Sequence, residues 1–127
     1  MSTRRYGFLA GGWNRCTDLS TAEVGRAAEE VAVRFLVKHR VRVLARNMSV
    51  GRGEIDILAL IGGDRAAVEV RSVRQGTDRI DPAIAFDVAK SRQVWNLAGQ
   101  VGVARVDLVT VSFSAAGVEV HWLPWAA

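Results

Sequence analysis

Apolar residues recur at two different spacings along the chain, and the spacing changes near residue 40. Between residues 20 and 39 they follow the spacing of one helical face, and the Ser-Thr-Ala-Glu at the start has the form of a capping box. A helix is therefore predicted there. Its buried stripe is expected to comprise Val24, Ala28, Val31, Ala32, Phe35 and Leu36. Glu29 falls at the edge of this stripe, whereas Glu30 lies on the solvent side as a surface partner for Arg34.

From Val41 onwards apolar and polar residues alternate, which is typical of β-strands. Residues 41–50 form the first predicted strand, and Asn47 near its end is predicted to be a turn residue or to face a ligand. Two further alternating arms, residues 53–61 and 64–71, flank Gly62-Gly63. This pattern predicts a β-hairpin with a two-residue loop.

The loop fixes which residues of the hairpin lie opposite one another. Counting outwards predicts these pairs: Ile61 with Asp64, Ile57 with Val68, Asp56 with Glu69, and Glu54 with Arg71. Three carboxylates and a guanidinium would then share one face. Opposed like charges such as Asp56 and Glu69 destabilise a sheet unless a carboxylate pKa rises or a cation lies nearby. That cation could be Arg71, a lysine or a bound metal, and Mg²⁺ suits carboxylate ligands.

The second half of the chain adds a helix and two strands to the prediction. A polar loop follows Arg71, Asp81-Pro82 marks the start of a helix, and strands are predicted over residues 103–113 and 118–123. A strand, helix and strand in this order make a right-handed crossover, so the two joined strands should be parallel. The predicted fold contains both helices and strands (α/β, with the mixed sheet of an α+β fold). Its order is α-β-β-β-α-β-β, and helices flank a central mixed sheet.

The domain boundaries and composition restrict the class of protein. Residues 1–19 are expected to be a loosely ordered arm, residues 20–123 a single domain and residues 124–127 a tail. The single cysteine, Cys16, excludes an internal disulfide and makes a structural zinc site improbable. No apolar run approaches the length of a membrane span, so a soluble cytoplasmic protein without a membrane partner is expected.

The charge of the chain favours polyanionic partners. The net charge is +4, and of the 17 basic residues only Lys38 and Lys90 are lysine. A basic balance permits nucleic-acid binding without proving it, because arginine usage also follows genome composition. A homodimer is possible, but no residue pattern predicts its interface.

Several of these segments together resemble the YraN family, a bacterial group with a restriction-endonuclease-like fold. The matching residues are Gly25-x-x-Ala-Glu29-x-x-Ala32-x-x-Phe35-Leu36, Asn47, Gly53-Glu54-Ile55-Asp56, Val68-Glu69-Val70-Arg71, Lys90 and Arg105-Val106-Asp107-Leu108-Val109. The resemblance covers residues 23–122. The Gly-Glu-Ile-Asp segment followed by a Val-Glu-Val-basic strand is its most specific part.

The resemblance implies an Mg²⁺- or Mn²⁺-dependent endonuclease that hydrolyses phosphodiester bonds of DNA, with repair or recombination as the expected context. Asp56 and Glu69 would be metal ligands, Val70 would offer its backbone carbonyl, and Glu29 would be an outer or water-mediated ligand. DNA is a better expected partner than RNA. Four basic residues are candidates for phosphate contacts, with solvated surface side chains as the commoner alternative: Arg52, Arg74, Arg79 and Lys90.

Arg71 departs from the family pattern, which usually has lysine at this catalytic position. Arginine stays protonated and cannot act as a general base, although it can hold a phosphate. Three alternatives therefore stay open: an active nuclease, a catalytically impaired nucleic-acid-binding module on the same fold, and a scaffold protein. For the carboxylates, the alternative is a solvated strand face in which Arg71 and Arg46 neutralise Asp56 and Glu69.

Overall fold

The computed structural model describes residues 4–8, 21–74, 96–97, 99–114 and 117–124. Its elements are β1 (Arg4–Phe8), α1 (Thr21–Lys38), β2 (Arg42–Val50), β3 (Gly53–Ile61), β4 (Asp64–Arg74), β5 (Arg105–Ser114) and β6 (Gly117–Leu123). Most of the helix predicted from Asp81 lies outside the described residues. Within the described residues, no helix is both long and apolar enough to cross a membrane.

The strands form one mixed sheet, so the α+β prediction is confirmed. The strand order is β1-β6-β5-β4-β3-β2. β4 and β5 are parallel, as the crossover rule predicts, and the other neighbouring pairs are antiparallel. The sequence pattern does not predict β1, which adds an edge strand beside β6.

Helix α1 buries the stripe that its apolar spacing predicts. All six predicted core residues are at most 3% exposed and pack on the sheet. The helix ends in a Schellman arrangement: Val41 N donates to Leu36 O at 2.9 Å, and Arg40 N donates to Val37 O at 3.0 Å. Arg40 adopts a left-handed φ of 64°, which turns the chain directly into β2.

The β3–β4 hairpin has the predicted register close to its loop. Ile61 pairs with Asp64 and Ile57 with Val68. Gly62 and Gly63 have φ values of 58° and 89°, as a tight hairpin loop requires, and glycine reaches that region without a steric penalty. The count from the loop is therefore confirmed as far as Ile57.

The sheet has one continuous apolar face and one divided face. The face against α1 carries the main core, to which β4 contributes Ala66 and Val68 and β5 contributes Val109 and Val111. The other face has a smaller apolar cluster that includes Ala67. Because side chains alternate along a strand, the polar positions beyond this smaller cluster lie on the face away from α1.

A charged network lies inside the main core, at the start of β5. Asp107 is 0% exposed and Arg105 is 8% exposed. Arg105 donates from Nε to Asp107 Oδ1 at 2.9 Å and from Nη2 to Oδ2 at 2.7 Å, and Trp122 Nε1 also donates to Oδ2 at 2.8 Å. The Trp122 ring meets Phe35 of α1 edge to face, at a centroid distance of 6.1 Å. These bonds neutralise the buried carboxylate and tie β5 to β6.

Candidate metal centre

The register of β2 with β3 shifts between Val43 and Ala45, and further along, the paired positions skip Asn47 and Asp56 without another shift. Arg46 pairs with Ile57 and Met48 pairs with Ile55, which places Asn47 opposite Asp56 between these two pairs. Asn47 has a left-handed φ of 49°, a conformation that asparagine tolerates better than most residues. The side-chain alternation of β3 also breaks here.

This break is visible in the core. Ile55 packs in the smaller apolar cluster, whereas Ile57 packs in the main core against α1, although a regular strand would place both on one face. Asp56 lies at the step between them. Beyond Ile57 and Val68 the strand pairing of β3 with β4 stops, and Val70 N donates to Asp56 Oδ2 at 2.9 Å instead.

Helix α1 brings a further carboxylate to this position. Glu29, at the edge of the buried stripe, is half-buried and lies beside the interrupted strand pair. Its carboxylate groups with those of Glu54 and Asp56, with one oxygen of each within 4.8 Å of the others. Among the described residues, none of these three acids forms an ion pair. We call Glu29, Glu54 and Asp56 the carboxylate triad.

The triad perturbs the ionisation of Glu29. Burial raises the pKa of Glu29 above its ordinary value, and the nearby charge of Asp56 raises it further, with a smaller contribution from Glu54. A hydrogen bond from the Asn47 side chain and the charge of Arg46 act in the opposite direction. Arg46 bonds to Glu30 at 3.0 Å, outside the triad. A bound cation would relieve the repulsion of Glu29 by Asp56 and Glu54.

Glu69 lies apart from the triad. It is 5% exposed and alternates with Val68 and Val70, which pack toward α1, so it projects from the other face of β4. Within the described residues, the group of acids close enough to share a metal does not include it. The metal-ligand role of Glu69 therefore stays a prediction, as does that of the Val70 carbonyl.

The predicted pairing of Glu54 with Arg71 is wrong. No ion pair joins them in the described part of the chain, because β3 and β4 stop pairing after Ile57 and Val68. Glu54 instead joins the triad. Arg71 is partly buried, and its Nε is buried without a hydrogen-bond partner.

The predicted phosphate-binding residues are only partly described. Arg52 is exposed in the turn between β2 and β3, immediately before the strand that carries Glu54 and Asp56. Arg74 ends β4, and its side chain is not described. Arg79 and Lys90 lie outside the described residues.

Sequence reasoning assigned no ligand role to Glu54. The sequence pattern did place Glu54 on the same face as Asp56, but as a partner for Arg71 rather than for a metal. Asn47 was flagged as a turn or ligand-facing residue, and the structure gives it both a left-handed backbone and a hydrogen bond to Glu29. The change of alternation in β3 opposite Asn47 could not be predicted, because Ile55 and Ile57 follow the apolar spacing of a regular strand.

The donors of the triad fit a hard divalent cation. Three carboxylates offer oxygen ligands, which Mg²⁺ and Mn²⁺ prefer, and Mg²⁺ keeps several waters in addition. Among the described residues, no histidine or cysteine belongs to the group, so the donor set does not resemble that of a zinc site.

Comparison with known proteins extends these observations to a family. The model of the uncharacterised protein family UPF0102 matches residues 28–111, a stretch that includes the triad and the buried Arg105–Asp107 pair. The chain belongs to the UPF0102 family. The YraN resemblance predicted from the sequence is thereby confirmed.

Relatives in the UPF0102 family match most of the chain. A UPF0102 protein of Thermotoga neapolitana is 39% identical over 94 residues, covering 68% of this chain and 85% of the relative. One of Geobacter metallireducens is 32% identical over 115 residues, covering 84% and 93%. One of Halorhodospira halophila is 35% identical over 104 residues, covering 78% and 82%.

Proposed function

We propose that this chain is a divalent-metal-dependent nuclease that binds nucleic acid, DNA in preference to RNA, and hydrolyses its phosphodiester bonds. The carboxylate triad carries the proposal. One oxygen of each acid lies within 4.8 Å of the others, and the three form no ion pair within the described residues. Burial and the charge of Asp56 raise the pKa of Glu29. A protein does not gain stability from such a group unless a cation joins it.

Glu29, Glu54 and Asp56 would hold Mg²⁺ or Mn²⁺, and the family resemblance adds Glu69 and the Val70 carbonyl as further predicted ligands. When bound, such an ion neutralises charge on a phosphate and makes a coordinated water more acidic. The Val70 N–H fixes one oxygen of Asp56, so this carboxylate is oriented before any ligand arrives. The sheet and α1 thus preorganise the ligands.

Arg71 would hold the phosphate rather than move a proton. Its guanidinium stays charged at all relevant pH values, so it cannot deprotonate water, but it can stabilise charge that develops on a phosphate. It lies one residue beyond Val70, whose N–H contacts Asp56. Arg71 projects from the face of β4 away from α1, whereas the triad lies on β3 and α1. The net charge of +4 favours the approach of a polyanion.

The second candidate is a nucleic-acid-binding module on the same restriction-endonuclease-like fold that does not cleave. Two observations favour it: Arg71 stands where the family pattern usually has lysine, and Glu69 lies outside the triad. Binding would then need no metal and would weaken with salt. The log-log slope would be about −0.9 per phosphate contact on duplex DNA.

A cleavage panel separates the two functions. Wild type, Asp56→Asn and Arg71→Lys are incubated with duplex, single-stranded and branched DNA and with RNA, in Mg²⁺, Mn²⁺ or EDTA. The nuclease proposal expects cleavage by wild type that disappears in EDTA and in Asp56→Asn. Intact substrates with wild type, together with cleavage by Arg71→Lys, would instead identify a decayed active site on a binding module.

Salt-dependent binding gives the matching control for the panel. Binding of each variant to the same DNA is measured at several salt concentrations in EDTA. A protein that neither cleaves any substrate nor binds DNA or RNA in a salt-sensitive manner would contradict both functions and leave the scaffold alternative.

A further inference from the structure

A second unusual group lies on β4 and β5, on the sheet face away from α1. Arg71 and Thr110 occupy paired positions of these parallel strands. Their neighbours Val70, Val109 and Val111 pack toward α1, so alternation places Arg71 and Thr110 on the opposite face. Side chains at such positions are nearest neighbours across the sheet.

Both residues hold a buried polar atom without a partner. Thr110 is 0% exposed, and neither its Oγ1 nor the Nε of Arg71 has a hydrogen bond in the structure. Buried donors and hydroxyls are nearly always satisfied, and an unsatisfied one is costly. Two unsatisfied groups at directly paired positions therefore indicate that a ligand atom completes them.

The neighbouring polar residues do not supply that atom. Thr110 pairs on its other side with His121 of β6, whose Nε2 lies 2.6 Å from Glu119 Oε1. Arg71 forms no ion pair in the described part of the chain. An oxygen between Arg71 Nε–H and the Thr110 hydroxyl would accept from both donors.

The charge of Arg71 favours an anion over water as the source of this oxygen. Glu69 lies on the same face of β4, two residues before Arg71, but no ion pair joins the two in the described part of the chain. A water molecule would satisfy the two donors but leave the partly buried guanidinium without a directly bound counter-charge. A tetrahedral oxyanion can bind side-on to a guanidinium, with one oxygen on Nε and a second on a terminal nitrogen. We propose that Arg71 and Thr110 form the base of an oxyanion-binding site. If the proposed function is correct, the bound group is a phosphodiester of the nucleic acid.

Side-chain NMR of the full chain tests this site without metal or nucleic acid. The Arg71 Nε–H signal is followed while inorganic phosphate replaces chloride at constant ionic strength. We expect a saturable shift of Arg71. Arg105 is the internal reference, because its Nε already donates to Asp107, and its signal should stay in place. An unmoved Arg71 signal would overturn the proposal.

Two substitutions at Thr110 test the hydroxyl. Thr110→Val keeps the shape of the side chain and should weaken phosphate binding about tenfold, the effect of losing a hydrogen bond to a charged group. Thr110→Ser keeps the hydroxyl and should bind like wild type. Equal phosphate affinity in all three proteins would show that Thr110 takes no part in the site.

Thermal unfolding separates a ligand role from a structural one. If the hydroxyl lacks a partner in the free protein, Thr110→Val should leave the melting temperature unchanged or raise it. A lower melting temperature combined with unchanged phosphate affinity would identify a structural hydroxyl bound to internal water.

The outcome is distinguishable from that of the nuclease test. A saturable Arg71 shift without cleavage in any metal would support the oxyanion site and contradict the nuclease. Metal-dependent cleavage with an unmoved Arg71 signal would leave the nuclease and remove this site.

Discussion

The molecule places carboxylates in two contrasting environments. Asp107 is fully buried, and Arg105 and Trp122 bond to both of its oxygens. The triad of Glu29, Glu54 and Asp56 is less buried, yet among the described residues no cation pairs with it. The deeper charge is compensated and the shallower charges are not.

The contrast indicates a structural role for the buried Arg105–Asp107 pair and a ligand-binding role for the triad. A buried ion pair that lost one partner would leave an uncompensated charge, so Asp107 and Arg105 must be kept together. The triad lies where α1 meets an interrupted strand pair, and water can still reach it in part. Such a site tolerates charge repulsion at a modest cost and remains available to a cation. Four measurements test this difference, beginning with the largest expected effect.

The largest effect is expected from Asp107→Asn. The substitution removes the charge of the carboxylate that accepts two hydrogen bonds from the buried Arg105, so the free energy of unfolding should fall by about 3–5 kcal/mol. Urea unfolding followed by tryptophan fluorescence measures the change. The matched control is Asp56→Asn, which removes one charge from a repulsive group and keeps an oxygen to accept from Val70 N–H. If the two variants lost similar amounts of unfolding free energy, the proposed difference between the buried pair and the triad would be contradicted.

Divalent metal should stabilise the folded protein through the triad. At a free Mn²⁺ or Mg²⁺ concentration of about 100 times Kd, the free energy of unfolding should rise by about 2.7 kcal/mol. Thermal unfolding with and without metal measures this. In Asp56→Asn the increase should largely disappear, whereas in Trp122→Phe it should persist despite a lower baseline. An increase that survives in Asp56→Asn would locate the metal elsewhere.

Glu29→Gln should have a smaller effect that depends on pH. The folded-state pKa of Glu29 is raised, so the folded state binds its proton more tightly than the unfolded state does. Wild type therefore loses stability as pH rises from the unfolded pKa through the folded pKa. The variant lacks this loss and should be more stable than wild type at pH 7, but not at about pH 3, below the unfolded pKa.

Metal provides the check on the Glu29 prediction. In saturating Mg²⁺ the ionised Glu29 becomes favourable, so the advantage of Glu29→Gln at pH 7 should vanish or reverse. An advantage of equal size at both pH values would show that the effect is not caused by ionisation of Glu29.

The smallest effect is expected on the exposed face of α1. Arg34 lies 3.4 Å from Glu30, and 71% of its side chain is exposed. Arg34→Ala should cost only about 0.3–0.5 kcal/mol of unfolding free energy, and less in high salt. Arg26→Ala, on the same helix and also exposed, is the control. A large loss of unfolding free energy in Arg34→Ala would mean that solvent exposure does not determine how much each charged residue contributes to stability.

Local patterns were sufficient to predict much of the fold. The period of the apolar residues predicted α1 and its six buried positions, and the Gly62-Gly63 loop predicted the hairpin register as far as Ile57. The parallel pairing of β4 with β5 followed from a general rule of chain topology. Strand β1 was not predicted, because its five residues, Arg-Arg-Tyr-Gly-Phe, are too few to show a regular alternation of apolar and polar positions.

The sequence by itself determined which residues could carry chemistry, because carboxylates, an arginine and their spacing are visible in one dimension. Only the tertiary structure decided which of them meet. Glu54 joined Asp56 and Glu29 rather than Arg71, and Glu69 lay on the other face of β4. The physical reason is the change of side-chain alternation in β3 at Asp56, since a single such change moves a side chain to the opposite face of a sheet.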